Sequence, residues 1–157
     1  MDAPLPATPG LEFAFLIRAE IGEALNAGPS PSGERLHIPI TGGTVTGPML
    51  NGRIIPGGSD WPLIRQDGAS QISARYTIIA DDGAPIYVRN DGLRVSSPEI
   101  LTRLRAGEAV DPADYYFRST PCFEAPVGPH GWLNQTIFIA SLGRTEAGVL
   151  ISVYRVT

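Results

Sequence analysis

A chain of 157 residues, 43% of them hydrophobic and only 18% charged, is long enough to bury one real core and too apolar to be disordered. All 12 basic residues are arginine, scattered from Arg18 to Arg155 against a net charge of −4. This excludes lysine Schiff-base chemistry, lysine-anchored pyridoxal phosphate and the basic stripe of a nucleic-acid binder.

Residues 1–10 hold three prolines and read as a loose arm ahead of a single domain over 11–157, with neither the basic nor the apolar region of a leader peptide. From Leu11 the pattern changes: Leu11, Phe13, Phe15, Ile17, Ala19 and Ile21 are apolar at every second position while Glu12, Arg18 and Glu20 occupy much of the other phase, as in a strand with one buried face. A Gly/Pro/Ser loop over 28–33 leads into a short run from Leu36 to Ile40, and Thr41-Gly42-Gly43-Thr44 predicts a turn. Thr44 to Met49 and Asn51 to Ile55 form the next candidate pair, and Pro56 to Pro62 reads as a tight Gly-rich loop presenting Asp60 and Trp61.

The clearest hairpin follows, with Ile72, Ala74, Tyr76, Ile78 and Ala80 on one face, a turn at Asp81-Asp82-Gly83, and Ile86, Val88 and Asn90 returning. Ser97-Pro98-Glu99 caps the one good helix, which carries Ile100, Leu101 and Leu104 at helical spacing and stops at Gly107. Asp111-Pro112 starts a further single turn, and Tyr115 to Thr120, Leu133 to Ala140 and Val149 to Val156 are three more β-rich runs. About eight to ten short strands against one short helix predict an all-β fold, an antiparallel barrel closed or nearly closed. A barrel of about eight strands has room for one small ligand.

Cys122 is the single cysteine, so no intrachain disulfide forms, a reducing cytoplasm is the simplest compartment, and the thiol is expected to be a buried bystander. The two histidines, His37 and His130, and the lone cysteine have no zinc-ligand spacing, so no metal is expected. The chain lacks a phosphate-binding Gly loop with Lys, a dinucleotide fingerprint and a Gly-x-Ser-x-Gly elbow, so no cofactor is expected either. No segment approaches about 18 uninterrupted apolar residues, which argues against a membrane span. The expected partner is a small organic molecule, with homo-oligomerisation left open.

The candidate catalytic groups are Asp60, Tyr76 and Glu124. A carboxylate held against the Trp61 indole in a dry site would titrate high enough to act as a general base or acid; alternatively Asp60 bonds backbone amides of its own turn. Tyr76 shares the apolar phase of its strand, so its hydroxyl either donates to a substrate oxygen or ties itself to a carbonyl. Arg75, in the opposite phase, is expected outside as an ion-pair partner. Asn90 and Asn134 end apolar faces and offer donors and acceptors to a ligand, although Asn90-Asp91-Gly92 is also a turn signature. Arg118 and Glu124 flank the Thr120-Pro121 bend and pair with each other, with Asp60, or on the surface. Trp132 is a flat wall for an aromatic ligand or core filling, and His130 is a proton shuttle or an exposed bystander.

Four stretches, IPITGGTVTGPMLNGRIIPGGSDW (38–61), ARYTIIADDGAPIYVRNDG (74–92), YYFRSTPCFEA (115–125) and WLNQTIFIA (132–140), resemble the domain-of-unknown-function family 3237, in order and at its spacing. The resemblance implies a calycin-type β-barrel. It also implies, through fungal members associated with cofactor-free ring closure in aromatic polyketide pathways, acid–base chemistry on a phenolic or enone-like molecule. The expected function is therefore a cofactor-independent isomerase, cyclase or lyase acting on a small aromatic or polyketide-like molecule inside the barrel. The alternatives are a non-catalytic carrier of an apolar metabolite and an interaction module with a filled core.

Overall fold

The computed structural model describes residues 1–157. In chain order the strands are β1 (Leu11–Ile21), β2 (Leu25–Ser30), β3 (Gly33–Thr46), β4 (Gly52–Asp60), β5 (Leu63–Ile64), β6 (Ser70–Ala80) and β7 (Pro85–Val95). They are followed by the helix α1 (Pro98–Arg105) and by β8 (Tyr116–Glu124), β9 (Phe138–Arg144) and β10 (Gly148–Val156). Every pairing is antiparallel, and the sheet runs β1-β10-β9-β8-β7-β6-β4-β3 before β3 bonds back to β1. Eight strands therefore close into a barrel, with β2 added along β3 and β5 bridging β3 to β6.

The hairpin β6–β7 forms about Asp81-Asp82-Gly83, where the Asp82 side chain accepts from the Ala84 amide at 3.1 Å. Helix α1 begins as its cap predicts: the Ser97 hydroxyl accepts from the Ile100 amide at 3.2 Å, and Gly107 follows the end with φ of 77°. Residues 1–10 are exposed and carry no helix or strand. No helix is long and apolar enough to cross a membrane.

Three local expectations are corrected. Thr41-Gly42-Gly43-Thr44 is no turn, because β3 continues through it with a bulge between Ile40 and Gly43. Gly43, at φ of 141°, lies so close to the Arg18 carbonyl of β1 that no side chain fits, and this contact helps close the barrel. Pro56 to Asp60 is likewise a bulged strand, not a loop, with extra residues between Ile55 and Ser59. In β1 the alternation slips between Phe13 and Phe15. Ala14 and Phe15 are both buried, while Phe13 is 41% exposed and packs edge-on against Tyr154 at 5.7 Å.

The two ends of the barrel differ in kind. One is plugged by Phe15, Phe123 and Phe138, with centroids 5.0–6.4 Å apart, and Trp132 covers them 5.8 Å from Phe138. The other end, beneath α1, holds a cavity, so the filled-core expectation does not apply. Phe138→Ala is expected to lose about 3–5 kcal/mol of stability in chemical denaturation, because the plug cannot collapse around the void. A loss below about 1 kcal/mol would show that the aromatics are not the packed end of the barrel.

Candidate functional site

The cavity measures about 470 Å³, and Ile21, Ile38, Ile40, Ile72 and Leu142 form much of its wall. Its polar lining comes chiefly from Asp60, Ser70, Tyr76, Asn90, Arg94 and Arg144. The register explains the convergence. Asp60 on β4 lies opposite Ala74 on β6, and Ala74 lies opposite Asn90 on β7, so the three share one inward row with a methyl between the two polar groups. Tyr76 stands one inward step along β6. Room for it exists because Gly58 lies alongside: a Cβ there would come within 2.5 Å of the Tyr76 Cβ.

Asp60 accepts a hydrogen bond from the Ser73 amide at 3.0 Å, so it shapes its local backbone while also facing the cavity. Burial raises its pKa from 3.8 to about 6, against the Ser73 hydrogen bond and the charges of Arg94 and Arg144, which pull it down. Burial, with the Asp60 charge adding to it, likewise raises the pKa of Tyr76, so the phenol stays protonated at neutral pH. The Tyr76 hydroxyl, Asn90 Oδ1 and Arg144 Nε are buried and have no hydrogen-bond partner within the protein, and all three residues line the cavity. Each such buried group costs about 1–3 kcal/mol if it stays unpaired, and folded proteins contain few of them.

The remaining expected site residues lie elsewhere. Trp61 follows Asp60 and points outward, as a strand neighbour must. It is 40% exposed and stacks on His37 at 5.4 Å, so it is the barrel interior and not the indole that desolvates Asp60. Along β8 the buried phase belongs to Phe117, Ser119 and Phe123, which turns Arg118, Cys122 and Glu124 out to solvent. Arg118 and Glu124 therefore pair neither with each other nor with Asp60. Arg118 lies 5.5 Å over the Tyr116 ring, and Cys122 is exposed instead of buried. Trp132 belongs to the plugged end. Asn134 is exposed and clamps the Ala125 backbone, accepting from its amide at 2.8 Å and donating to its carbonyl at 3.0 Å. Arg75 is outside as expected, 3.4 Å from Asp91. His130 bonds Asp82 at 2.7 Å, away from the cavity.

Among the polar lining residues that the sequence reading misses are Arg94 and Arg144. Arg94 extends the inward phase of Ile86, Val88 and Asn90 two steps further, and Arg144 extends that of Phe138, Ala140 and Leu142 by one. The signal was the continuing alternation, hidden in β7 by the turn-like Asn90-Asp91-Gly92. Gly92 is in fact a strand residue, where a Cβ would come within 2.7 Å of the Ser119 Cβ on β8. Arg94 makes one long contact, donating to the Ser70 hydroxyl at 3.4 Å, and its guanidinium lies 5.8 Å from the Phe117 ring centroid. Burial, then repulsion from Arg144, lowers its pKa to about 10.

Fold and cavity together define an antiparallel β-barrel with an apolar cavity at one end. The chain belongs to the family described as "Protein of unknown function (DUF3237)", whose model matches residues 9–156. It is 41% identical over 151 residues to a UPF0311 protein of Rhodopseudomonas palustris, covering 95% of this chain and 99% of that one. A UPF0311 protein of Clostridium acetobutylicum is 41% identical over 125 residues, 80% of this chain and 79% of that one. Among solved structures, a conserved protein of unknown function from Rhodopseudomonas palustris superposes with a TM-score of 0.91 at 38% identity, covering 98% of this chain and 100% of that one. A structure described as an enzyme from Penicillium herquei shares the fold, with a TM-score of 0.73 over 99% of both chains at 23% identity.

The Asp60 carboxyl makes stability depend on pH in a defined direction. The folded state keeps this proton up to about pH 6 whereas the unfolded chain releases it near 3.8, so this group lowers stability progressively as pH rises through that interval. Asp60→Asn keeps an acceptor for the Ser73 amide. It is expected to raise stability at pH 7.5 by about 1–3 kcal/mol in chemical denaturation, with no gain below about pH 4. Equal stability of the two proteins at pH 7.5 would mean that the carboxylate is solvated.

Proposed function

We propose that this protein is a cofactor-independent acid–base enzyme acting on a small, largely apolar organic molecule held in the barrel. The observation that carries this reading is the placement of one desolvated carboxylate and two unpartnered hydrogen-bonding groups, Tyr76 and Asn90, around one apolar cavity. At neutral pH Asp60 is mostly ionised but weakly solvated, as suits a general base. It takes a proton from a carbon or hydroxyl of the substrate, and the electron pair left behind moves onto a substrate oxygen. The protonated Tyr76 hydroxyl donates to that oxygen, and Asn90 Oδ1 accepts from a hydroxyl of the substrate. Asp60 then returns the proton to another atom of the same molecule. The net result is an isomerisation or ring closure that needs no co-reactant, and in an elimination the leaving group takes the proton instead.

The fold is compatible with catalysis, since the Penicillium herquei structure that shares it is described as an enzyme. An aromatic or polyketide-like substrate suits the volume and the Ile- and Leu-rich wall. The alternative, a carrier of an apolar metabolite, uses the same cavity but needs no ionised carboxylate in it.

Once a substrate is identified by metabolite screening, Asp60→Asn is expected to reduce kcat about 10²–10⁴-fold without weakening ligand binding. The wild-type kcat/KM should rise with pH through an ionisation near 6. Full activity in Asp60→Asn would move the protein to the carrier reading.

A further inference from the structure

Arg94 and Arg144 reach the cavity from β7 and β9, on either side of β8, and neither takes part in any of the chain's seven ion pairs. Arg105, the third arginine of the lining, differs from them because its charge is matched by Glu34 of β3. Two half-buried guanidiniums lining one cavity are costly to keep, and Asp60 alone offsets only one of them. The Nε of Arg144 is fully buried with no acceptor, and Arg94 has only its long contact to Ser70. Arg144 is also held in place by its backbone, whose amide donates to the Tyr115 hydroxyl at 2.9 Å.

Resting on the reading of this cavity as a small-molecule site, we infer that the ligand is a carboxylic acid whose carboxylate binds Arg94 and Arg144. Its apolar body then lies against Ile38, Ile40 and Ile72. Charge and shape favour this class over others. Asp60, Arg94 and Arg144 sum to one net positive charge, which a single carboxylate balances and a phosphate dianion would overshoot. The parallel N–H donors of a guanidinium edge, Nε among them in Arg144, match the two oxygens of a carboxylate. The apolar wall rules out a fully polar anion as the best fit. A carboxylate held beside Asp60 also strengthens the hold of Asp60 on the proton it has taken, which helps return it to the product.

The test uses 2-naphthoate and its uncharged counterpart 2-naphthamide as probes, titrated calorimetrically into the full chain at pH 7.5. The acid should bind at least about tenfold more tightly than the amide. Arg94→Gln and Arg144→Gln should each bring the acid down to the amide's affinity while leaving the amide unchanged. Removing an unpaired buried charge should not unfold the barrel, and a thermal melt of each variant checks this. As a second measure on the unmodified chain, the Arg144 Nε–H resonance should shift with the acid and not with the amide. Equal affinities in the wild type, an acid preference that survives both substitutions, or no binding of either probe would each overturn the inference. Asp60→Asn should retain the acid preference, so loss of turnover in that variant and loss of discrimination in the arginine variants report on the two readings separately.

Discussion

The pairing of β1 with both β10 and β3 is the constraint on which the molecule depends. Once the sheet closes, the two-residue alternation of each strand becomes a choice between interior and solvent, and a polar residue in the wrong phase has no third option. Closure also removes the open edges of the eight barrel strands, leaving a free edge only on the short added strand β2. The glycines at 43, 58 and 92 serve that geometry by letting backbone or a neighbouring side chain approach where a Cβ would collide.

Within the closed wall, the interior is divided along the barrel axis. Aromatic rings in edge-to-face and tilted contact fill one end, and the other end holds a cavity lined by an acid, a phenol, an amide and guanidiniums. These groups perturb one another. Burial holds the Asp60 proton on, the two arginines draw it off, and Arg144 in turn weakens the hold of Arg94 on its own proton. An apolar end would avoid the cost of leaving these groups buried and unpaired, so they subtract from folding stability instead of adding to it.

Much of this was legible in the residues. The β6–β7 hairpin, the capped helix and the strand-to-helix ratio followed from alternation, turn chemistry and capping, all of which are local. The apolar phase of their strands points to Tyr76 and Asn90, whereas Asp60 stands out by the glycines before it and the tryptophan after it; all three line the cavity. What failed depended on register between distant strands. A Gly-Gly pair reads as a turn until the carbonyl of Arg18 is seen pressed against it, and Trp61 reads as a companion of Asp60 until the strand separates neighbours to opposite faces. Arg118 and Glu124 were chosen for their charge and not for their phase, whereas Arg94 and Arg144 lay in phase and were overlooked because arginine is expected outside.

The most direct measurement is the titration of the Asp60 side-chain carboxyl followed by its carbon chemical shift. A midpoint near pH 6, well above that of an exposed aspartate, is what a carboxylate inside a desolvated cavity must give. A midpoint near 3.8 would place Asp60 in water and leave the interior without its acid–base group.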